Sequence, residues 1–443
     1  MSGTVLFDDA WPAAIGAIAA AAPGLRSAGL AELWVIRDLT GRLRLVIGEP
    51  AEGMASLAPP LSALATGLHD VAGAHAYDPE SAVLRVEPES LDPLRKGAVR
   101  QDIDGLPVYL ADRLVSGGDW AVTRPVPAES ADHPVRFALF ATKGGVGRST
   151  TAAVMAAHLA ARGRRVMVVD VDLESPGVTG LLLRVEEQPD FGVVDWFVED
   201  MVGQGNAVDG RLVGRPGWSQ DLRGEILVVP AYGRLTREYI PKLGRVFLSR
   251  PPASAGEAAE PWPRRLLRLL RLLEKRERPD VVLLDARSGL HDLAAAAVTV
   301  TGAEVLLFGT NAAAVWEGYR FLFEHWRQHQ AAQAIRDRLT VVAALVPDIG
   351  TDAYLKALRE RAWDLFRDSL YDEVAPGTAA DEPFSFDLMD PSGPHYPLPI
   401  HWIHGLAAAS SLRDLDGSVL DRAYGPFLAR IDQMVRGAQD EGD

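Results

Sequence analysis

The stretch VRFALFATKGGVGRST, residues 135–150, decides how the remainder of this chain is organised. Its apolar first part, residues 137–141, predicts a buried β-strand. A glycine-rich turn follows, and Ser149 and Thr150 then open an alanine-rich segment that predicts a helix as far as residue 162. When a strand, a glycine-rich loop and a helix are joined in this order, backbone N–H groups and the helix N-terminus favour a bound phosphate. The stretch therefore predicts a phosphate-binding loop.

This loop departs from the common pattern G-x-x-x-x-G-K-[ST] at two positions. Residue 142 is Thr instead of Gly, and residue 148 is Arg instead of Lys. An additional lysine, Lys143, directly precedes Gly144 and Gly145. This arrangement, K-G-G-V-G-[KR]-[ST]-[ST], resembles the deviant Walker A motif of the ParA/MinD-type P-loop ATPases of the SIMIBI class, in a KGGVGR variant. The resemblance implies a P-loop fold and nucleotide binding.

Composition narrows the class of protein. A length of 443 residues suggests two domains. No run approaches the roughly 20 apolar residues of a membrane span, and the N-terminus lacks the basic region of a signal peptide. We therefore expect a cytoplasmic protein without membrane insertion. The absence of cysteine excludes disulfides, cysteine-ligated zinc and thiolate-bound iron–sulfur clusters, and with them the nitrogenase iron protein and the zinc-bridged tail-anchored-protein targeting ATPase.

The charged residues indicate which partners are expected and how the two cations of the loop should be interpreted. A net charge of −15 predicts that DNA is repelled at long range unless a local basic patch exists. Only five of the 45 basic residues are lysine, so arginine is the ordinary cation of this chain. Arg148 therefore carries little special meaning as a replacement for lysine. A lysine retained at position 143 points instead to a specific role.

Two further apolar runs end in aspartate. Residues 165–170 (RVMVVD) predict a strand that delivers Asp170 and Asp172 to the carboxyl edge of a parallel sheet, where such folds bind ligands. Residues 279–285 (PDVVLLD) predict another strand, and its last residue, Asp285, fits the Walker B pattern. Carboxylates at these positions can hold a hydrated magnesium ion or orient a water molecule.

The segment after the second aspartate strand resembles the switch II segment of the same family, D-x-x-x-G-x-x-D. The proline usual in that segment is absent, and Arg287 stands in its neighbourhood. Gly289 leaves room for a backbone N–H group to approach a γ-phosphate.

The resemblance assigns roles to individual residues. It implies that the nucleotide is bound by Gly144, Gly145, Val146, Gly147, Arg148, Ser149, Thr150 and Asp348. It implies a Mg²⁺ site at Ser149, Asp170 and Asp285, and catalytic roles for Lys143, Arg148 and Asp172. Lys143 would reach the nucleotide of a partner chain, and Asp172 would position the attacking water. ATP is the expected nucleotide. GTP stays an alternative, because Asp348 stands where many relatives carry an asparagine that reads adenine.

The order of elements predicts an α/β fold with a mostly parallel sheet wrapped by helices, together with a smaller N-terminal α/β domain. We assign residues 1–130 to that interaction or regulatory domain. Residues 135–443 form the P-loop domain, with a divergent part from about residue 350. Pro125, Pro127, Ser130, Asp132 and Pro134 mark the linker between the domains.

Within the first 130 residues we predict four features. These are a helix over Trp11–Ala22, a hairpin of residues 33–36 and 43–47, a short helix after Pro59-Pro60, and strands near residues 82–86 and 106–111. Residues 5–9 (VLFDD) superficially resemble the first strand and acidic pair of a response-regulator receiver. The hairpin and the lack of a phosphoacceptor aspartate after a third strand argue against it.

Three later segments carry open interpretations. Arg264, Arg268, Arg271 and Lys275 recur at helical spacing, either as a DNA-binding stripe or as the solvated face of a packed helix. Residues 395–406 contain three histidines, either a metal site or core residues. Residues 419–436 predict a helix broken at Gly425-Pro426, without the basic polar face of a membrane-surface helix.

The leading functional hypothesis is an ATP- and Mg²⁺-dependent dimerisation switch with slow hydrolysis, which recruits or positions a protein partner through residues 1–130. One alternative is a nucleotide-gated adaptor without meaningful turnover, of the kind that positions a secretion or pilus apparatus. The other is a DNA-binding partition ATPase. A bacterial tyrosine kinase shares the motifs, but this chain has neither a membrane span nor a C-terminal tyrosine cluster.

Overall fold

The computed structural model describes residues 5–48, 54–114, 118–121, 133–252, 258–373, 383–403 and 417–440. The chain divides into two compact units, Met1–Gly118 and Asp119–Asp443, which are described separately. Four of the predicted linker residues, Pro125, Pro127, Ser130 and Asp132, lie outside the described residues, as do 253–257 of the loop that follows residue 250.

The first unit is a five-stranded mixed sheet with order β3-β2-β1-β5-β4. Its strands are β1 (Leu33–Arg37), β2 (Leu43–Ile47), β3 (Val83–Arg85), β4 (Ala98–Ile103) and β5 (Leu106–Asp112). Two helices, α1 (Phe7–Ser27) and α2 (Met54–Ala72), contribute to its hydrophobic core together with inward residues of the strands. The predicted hairpin is confirmed as β1 and β2, with Gly41 at φ +84° in its turn. Pro59 and Pro60 lie inside α2, so the prediction that this helix starts after them was wrong.

The second unit is built on a seven-stranded sheet with order β12-β11-β10-β6-β9-β7-β8, in which every neighbouring pair is parallel. Its strands are β6 (Val135–Phe140), β7 (Arg165–Asp170), β8 (Glu225–Val229), β9 (Val281–Asp285), β10 (Glu304–Gly309), β11 (Leu339–Val346) and β12 (Leu398–His401). The central strands are buried on both faces, which explains their continuous apolar sequences. This sheet confirms the predicted fold class.

The helices of this unit cover both faces of the sheet. They are α3 (Arg148–Ala161), α4 (Val178–Leu182), α5 (Val193–Met201), α6 (Asn206–Asp209), α7 (Tyr239–Val246), α8 (Trp262–Glu277), α9 (Asp292–Thr299), α10 (Ala313–Gln328), α11 (Ala332–Ile335), α12 (Thr351–Ser369) and α13 (Gly417–Asp440). Side chains alternate across β6: Phe137 and Leu139 join the core with α3 and α13, whereas Ala138 joins the core with α5 and α8.

Parallel pairing brings the important strand ends together. Asp170, the last residue of β7, lies directly beside Asp285, the last residue of β9, and Leu139 of β6 lies on the other side of Asp285. The loops that follow these three strands therefore leave the sheet at one edge. Helix α3 begins there and packs back along the sheet.

Two predictions in the C-terminal part are corrected. Helix α13 continues through Gly425 and Pro426, because Tyr424 and Phe427 pack in the same core as α3 and hold the helix together at that point. Residues 398–401, which were not predicted as a strand, pair with β11. His395 is fully buried and bonds to the Tyr371 hydroxyl and the Leu388 carbonyl, and the third histidine of that run lies outside the described residues.

Helix α8 supports the interpretation of a packed helix. Four of its six leucines, Leu266, Leu269, Leu270 and Leu273, are buried. Arg268 donates hydrogen bonds to Asp200 and Glu260, so this member of the predicted stripe forms internal ion pairs. Across the residues that the structure describes, no helix has both the length and the apolar composition needed to cross a bilayer.

Candidate functional site

The glycine-rich loop has the backbone geometry of an anion cradle. Gly145 and Gly147 have φ angles of +77° and +84°, a region that glycine enters without steric cost. Gly147 directly precedes the 14-residue helix α3, and its carbonyl accepts the Thr151 N–H at 2.8 Å. The loop therefore presents backbone N–H groups next to a helix N-terminus, where partial positive charge collects.

Thr142, which replaces the first glycine of the common pattern, lies in the loop after β6 and has room there because helix α10 carries a glycine at the point of contact. Its hydroxyl donates to the Val315 carbonyl at 2.9 Å. A Cβ atom at Gly318 of α10 would lie 2.7 Å from the Thr142 Cβ. The departure at position 142 is thus matched by a missing side chain at position 318.

The two cations of the loop point to different places. Lys143, Gly144 and Gly145 are exposed. Arg148 is buried, its guanidinium donates a hydrogen bond to the Ala286 carbonyl, and its Nη2 lies 4.0 Å from Asp172 Oδ2. Arg148 therefore joins the loop to the end of β9, whereas Lys143 is directed to the surface.

Two buried carboxylates lie side by side beneath the loop. Asp170 Oδ2 accepts the Thr179 hydroxyl at 2.7 Å, but its Oδ1 has no hydrogen-bond partner among the residues that the structure describes. From the same residues neither oxygen of Asp285 accepts a well-formed hydrogen bond, although the Ser149 hydroxyl lies near enough to interact with this carboxylate. Burial, and then the neighbouring Asp285, raise the pKa of Asp170 above its usual range. Burial also raises the pKa of Asp285, while the nearby Ser149 hydroxyl and Arg148 act in the opposite direction.

Asp172 is bonded differently from its two neighbours. Its Oδ1 accepts the Ser175 N–H at 3.1 Å and the Ser175 hydroxyl at 3.0 Å, which closes a tight turn. The same loop passes close to the start of α3, since a Cβ atom at Gly177 would lie 3.0 Å from Ser149 Oγ. The structure thus gathers Ser149, Asp172 and the two open carboxylates in one place.

The loop after β9 is pinned against this cluster. Gly289, at φ +88°, donates its N–H to the Ala141 carbonyl at 2.9 Å. The N–H of Gly289, the residue predicted to leave room for a backbone N–H group near a γ-phosphate, is therefore engaged within the protein in this conformation. Arg287 forms an ion pair with Glu174, and His291 Nε2 lies 3.5 Å from the same carboxylate.

The residues present fit a magnesium ion that arrives with a nucleotide. Three buried oxygen atoms, one on Asp170 and two on Asp285, accept no well-formed hydrogen bond from the described part of the chain, and the half-buried Ser149 hydroxyl lies beside Asp285. Mg²⁺ prefers oxygen ligands and in nucleotide sites takes one or two carboxylates together with waters and phosphates. Within the described ranges no group of three or more His, Cys, Asp or Glu side chains is arranged to hold a metal.

Asp348 lies apart from this cluster. It follows β11, which is separated from β6 by β10, and it is exposed. Sequence reasoning missed Glu174, His291 and Gly318. Glu174 stands only two residues after Asp172 in the motif, but its partners come from a loop more than a hundred residues later.

Comparison with known proteins gives one family. A model described as the CobQ/CobB/MinD/ParA nucleotide binding domain matches residues 137–374, more than half of the chain. The chromosome-partitioning ATPase Soj of Thermus thermophilus is 49% identical over 51 residues, which are 12% of this chain and only 20% of that relative.

Three solved structures are similar to the chain at low identity. The pNOB8 ParA bound to nonspecific DNA matches 70% of this chain and 100% of its own, at 17% identity and a TM-score of 0.42. The cobyrinic acid a,c-diamide synthase of Mycobacterium smegmatis, with an ATP analogue and magnesium, matches 56% and 89%, at 20% identity and 0.36. The MinD of Pyrococcus horikoshii with Mg-ADP matches 49% and 72%, at 17% identity and 0.32.

Proposed function

From the premise that this chain belongs to the CobQ/CobB/MinD/ParA nucleotide-binding family, we propose that it binds Mg-ATP and dimerises in response. One observation carries the proposal. Buried carboxylate oxygens of Asp170 and Asp285, which accept no well-formed hydrogen bond from the described residues, lie at the same sheet edge as a glycine loop with two positive φ angles. Unpaired buried acceptors are costly in a folded protein, and a cation with its phosphate ligands would satisfy them.

The loop residues supply the binding contacts in this proposal. Backbone N–H groups from Gly144 to Thr150 surround the phosphates, and the Ser149 hydroxyl, with Asp170 and Asp285, holds the metal. The metal neutralises phosphate charge when bound. Asp348 would contact the base. Its exposed position leaves it free to do so.

Lys143 is proposed to act across the dimer. It is exposed and lies in the loop next to the proposed phosphate position, so it can reach a nucleotide held by a second chain. Asp172 is proposed to orient the attacking water, because Ser175 fixes one of its oxygens and leaves the other toward Arg148.

The test is the mass in solution by size-exclusion chromatography with light scattering, with and without ATP and Mg²⁺. We expect a monomer of about 47.8 kDa to become a dimer only with Mg-ATP. Lys143→Ala should remain monomeric under both conditions. Lys356 is an exposed lysine on α12 whose Nζ lies 3.9 Å from Glu360 Oε1. Its replacement, Lys356→Ala, is the matched control and should behave as wild type. A dimer of Lys143→Ala with unchanged ATP dependence would refute the assignment of Lys143.

The second candidate is an adaptor that binds nucleotide with negligible turnover. The observation that favours it is the hydrogen bond from Arg148 to the Ala286 carbonyl, which a phosphate must displace before the arginine can contact it. Steady-state phosphate release separates the candidates. Release that is absent in Asp172→Ala and present in wild type supports hydrolysis, whereas no release from wild type despite ATP binding supports the adaptor.

Recruitment of a protein partner through residues 1–130 stays part of the proposal. DNA binding does not, because Arg268 is committed to Asp200 and Glu260. The exposed residues Arg264 and Lys275 allow a direct check. Retention on DNA that requires ATP, weakens with salt and is lost in the Arg264→Glu/Lys275→Glu double variant would establish a DNA-binding ATPase instead.

A further inference from the structure

We propose that Glu174 is a positioning residue that couples the turn carrying Asp172 to the loop after β9. This inference rests on the proposed nucleotide function, because it concerns how that site is held in register. Glu174 lies between Asp172 and Ser175, the two residues whose hydrogen bonds close the turn. Its own carboxylate reaches out of the turn to Arg287 and His291.

The contacts of His291 indicate which ring nitrogen carries the proton. The imidazole Nδ1 accepts the Leu293 N–H at 3.3 Å and caps helix α9. In the neutral ring the proton is therefore on Nε2, which faces Glu174 Oε1 at 3.5 Å. Burial, and then the neighbouring Arg287, lower the pKa of His291, which supports the neutral form. A single carboxylate thus holds both a guanidinium and the cap of α9.

The loop held by Glu174 also takes part in two hydrogen bonds that would break if phosphate engaged their donors. Between β9 and α9, Ala286 accepts from Arg148 and Gly289 donates to Ala141. If phosphate takes Arg148 or the Gly289 N–H, the loop must shift, and the half-buried Glu174–Arg287 pair transmits the shift to the Asp172 turn. Within the part of the chain that the structure describes, Glu174 forms its ion pairs with Arg287 and His291 and none with the glycine loop, so it acts through Asp172 and touches no phosphate.

The coupling predicts a separation of binding from turnover. Glu174→Gln should leave the Kd of Mg-ATP within about twofold and lower kcat by about tenfold to a hundredfold, because misplacement of a catalytic group costs rate before affinity. The charge exchange Glu174→Arg/Arg287→Glu should recover part of kcat. Glu317→Gln, which breaks an exposed ion pair with Arg320 on α10, is the control and should change neither value.

A second measurement does not depend on hydrolysis. Hydrogen–deuterium exchange of the full chain without nucleotide should show faster exchange at residues 286–293 in Glu174→Gln than in wild type, because the α9 cap and the loop lose their anchor. Faster exchange together with no ATP turnover in wild type would leave the coupling in place and remove the proposed hydrolysis. Wild-type turnover with unchanged kcat and unchanged exchange in Glu174→Gln would overturn the coupling and leave the proposed function intact.

Discussion

Two groups of buried carboxylates lie in the seven-stranded unit, and they differ in how their oxygen atoms are bonded. Asp200 accepts from Arg265 and Arg268, each at 2.8 Å. Asp195 is bonded to Lys242 at 2.6 Å and to the Gly192 N–H at 2.9 Å. These residues hold helices together. At the carboxyl edge of the sheet, by contrast, Asp170 and Asp285 retain three buried oxygens that accept no well-formed hydrogen bond from the residues described by the structure.

The difference separates structural carboxylates from those kept open. Burial acts to raise the pKa of Asp200, but hydrogen bonds from Arg268 and Arg265 outweigh it and hold the pKa below its usual range. At Asp170 and Asp285 burial prevails, and both pKa values are raised. Asp200 is neutralised by two arginines, whereas Asp170 and Asp285, the edge pair, have no arginine bonded directly to them in the part of the chain that the structure describes. A buried carboxylate pair of this kind favours binding of a cation from solution.

The largest expected effect is at Asp200. Asp200→Ala removes the carboxylate that neutralises the fully buried Arg265, so the free energy of unfolding should fall by about 3–5 kcal/mol. Urea denaturation of the full chain measures it. Asp364→Ala, which breaks an exposed pair with Arg367, should cost less than about 1 kcal/mol. Equal losses of unfolding free energy in Asp200→Ala and Asp364→Ala would contradict the distinction between buried and exposed ion pairs.

Asp119 lies between the structural carboxylates and the open ones, because its side chain has a single hydrogen-bond donor among the described residues and a raised pKa. Its contribution to the free energy of unfolding should therefore depend on pH. Asp119 accepts one hydrogen bond, from Trp262 at 2.9 Å, and burial followed by the neighbouring Asp292 raises its pKa to about 6. Because the folded pKa exceeds the unfolded one, its favourable contribution is complete below about pH 4 and is lost as the pH rises through 6. Asp119→Asn keeps an acceptor for Trp262 and cannot ionise.

The variant Asp119→Asn should therefore match wild type in unfolding free energy at pH 4 and exceed it by about 2–3 kcal/mol at pH 7.5. Thermal unfolding at both pH values is the measurement. A constant difference between the proteins at the two pH values would show that Asp119 does not titrate in this range.

The smallest expected effect is at the edge pair itself. Asp285→Asn removes a buried charge that accepts no well-formed hydrogen bond from the described residues, and the loss of its interactions with Ser149 and Arg148 offsets part of the gain. Unfolding without nucleotide should become harder by about 1 kcal/mol. Asp195→Asn should have the opposite sign, because Lys242 loses its counter-charge. In the Asp285→Asn variant, Mg-ATP should no longer raise the Tm of the protein. A destabilised Asp285→Asn protein would place Asp285 among the structural carboxylates.

Sequence reasoning succeeded where one stretch of chain contains the whole signal. The apolar runs of β6, β7 and β9 predicted buried strands because both faces of each are covered. It failed where a distant partner decides the outcome. Pro59 and Pro60 suggested the start of a helix, yet α2 begins at Met54, and Leu57, ahead of both prolines, already packs in the core with α1 and the sheet. Edge strand β4 has exposed polar residues and no apolar alternation.

The candidate site shows the same division. The glycine loop and the aspartates that end β7 and β9 were found from local motifs, and the structure brings them together. The internal role of Arg268 could not be predicted, because its partner Asp200 lies in α5, far away in sequence. Glu174 escaped notice for the same reason, since only the folded sheet places it beside Arg287.

The contact between Thr142 and Gly318 has a consequence for the history of this chain. With 2.7 Å between the Thr142 Cβ and a Cβ built at position 318, a side chain at both positions requires the helix to move. The two codons are therefore expected to evolve as a pair: relatives with glycine at position 142 are free to vary at position 318, and those with threonine there are not. An alignment of relatives sorted by residue 142 would display this dependence, and homology-guided redesign of the loop must alter α10 in the same step.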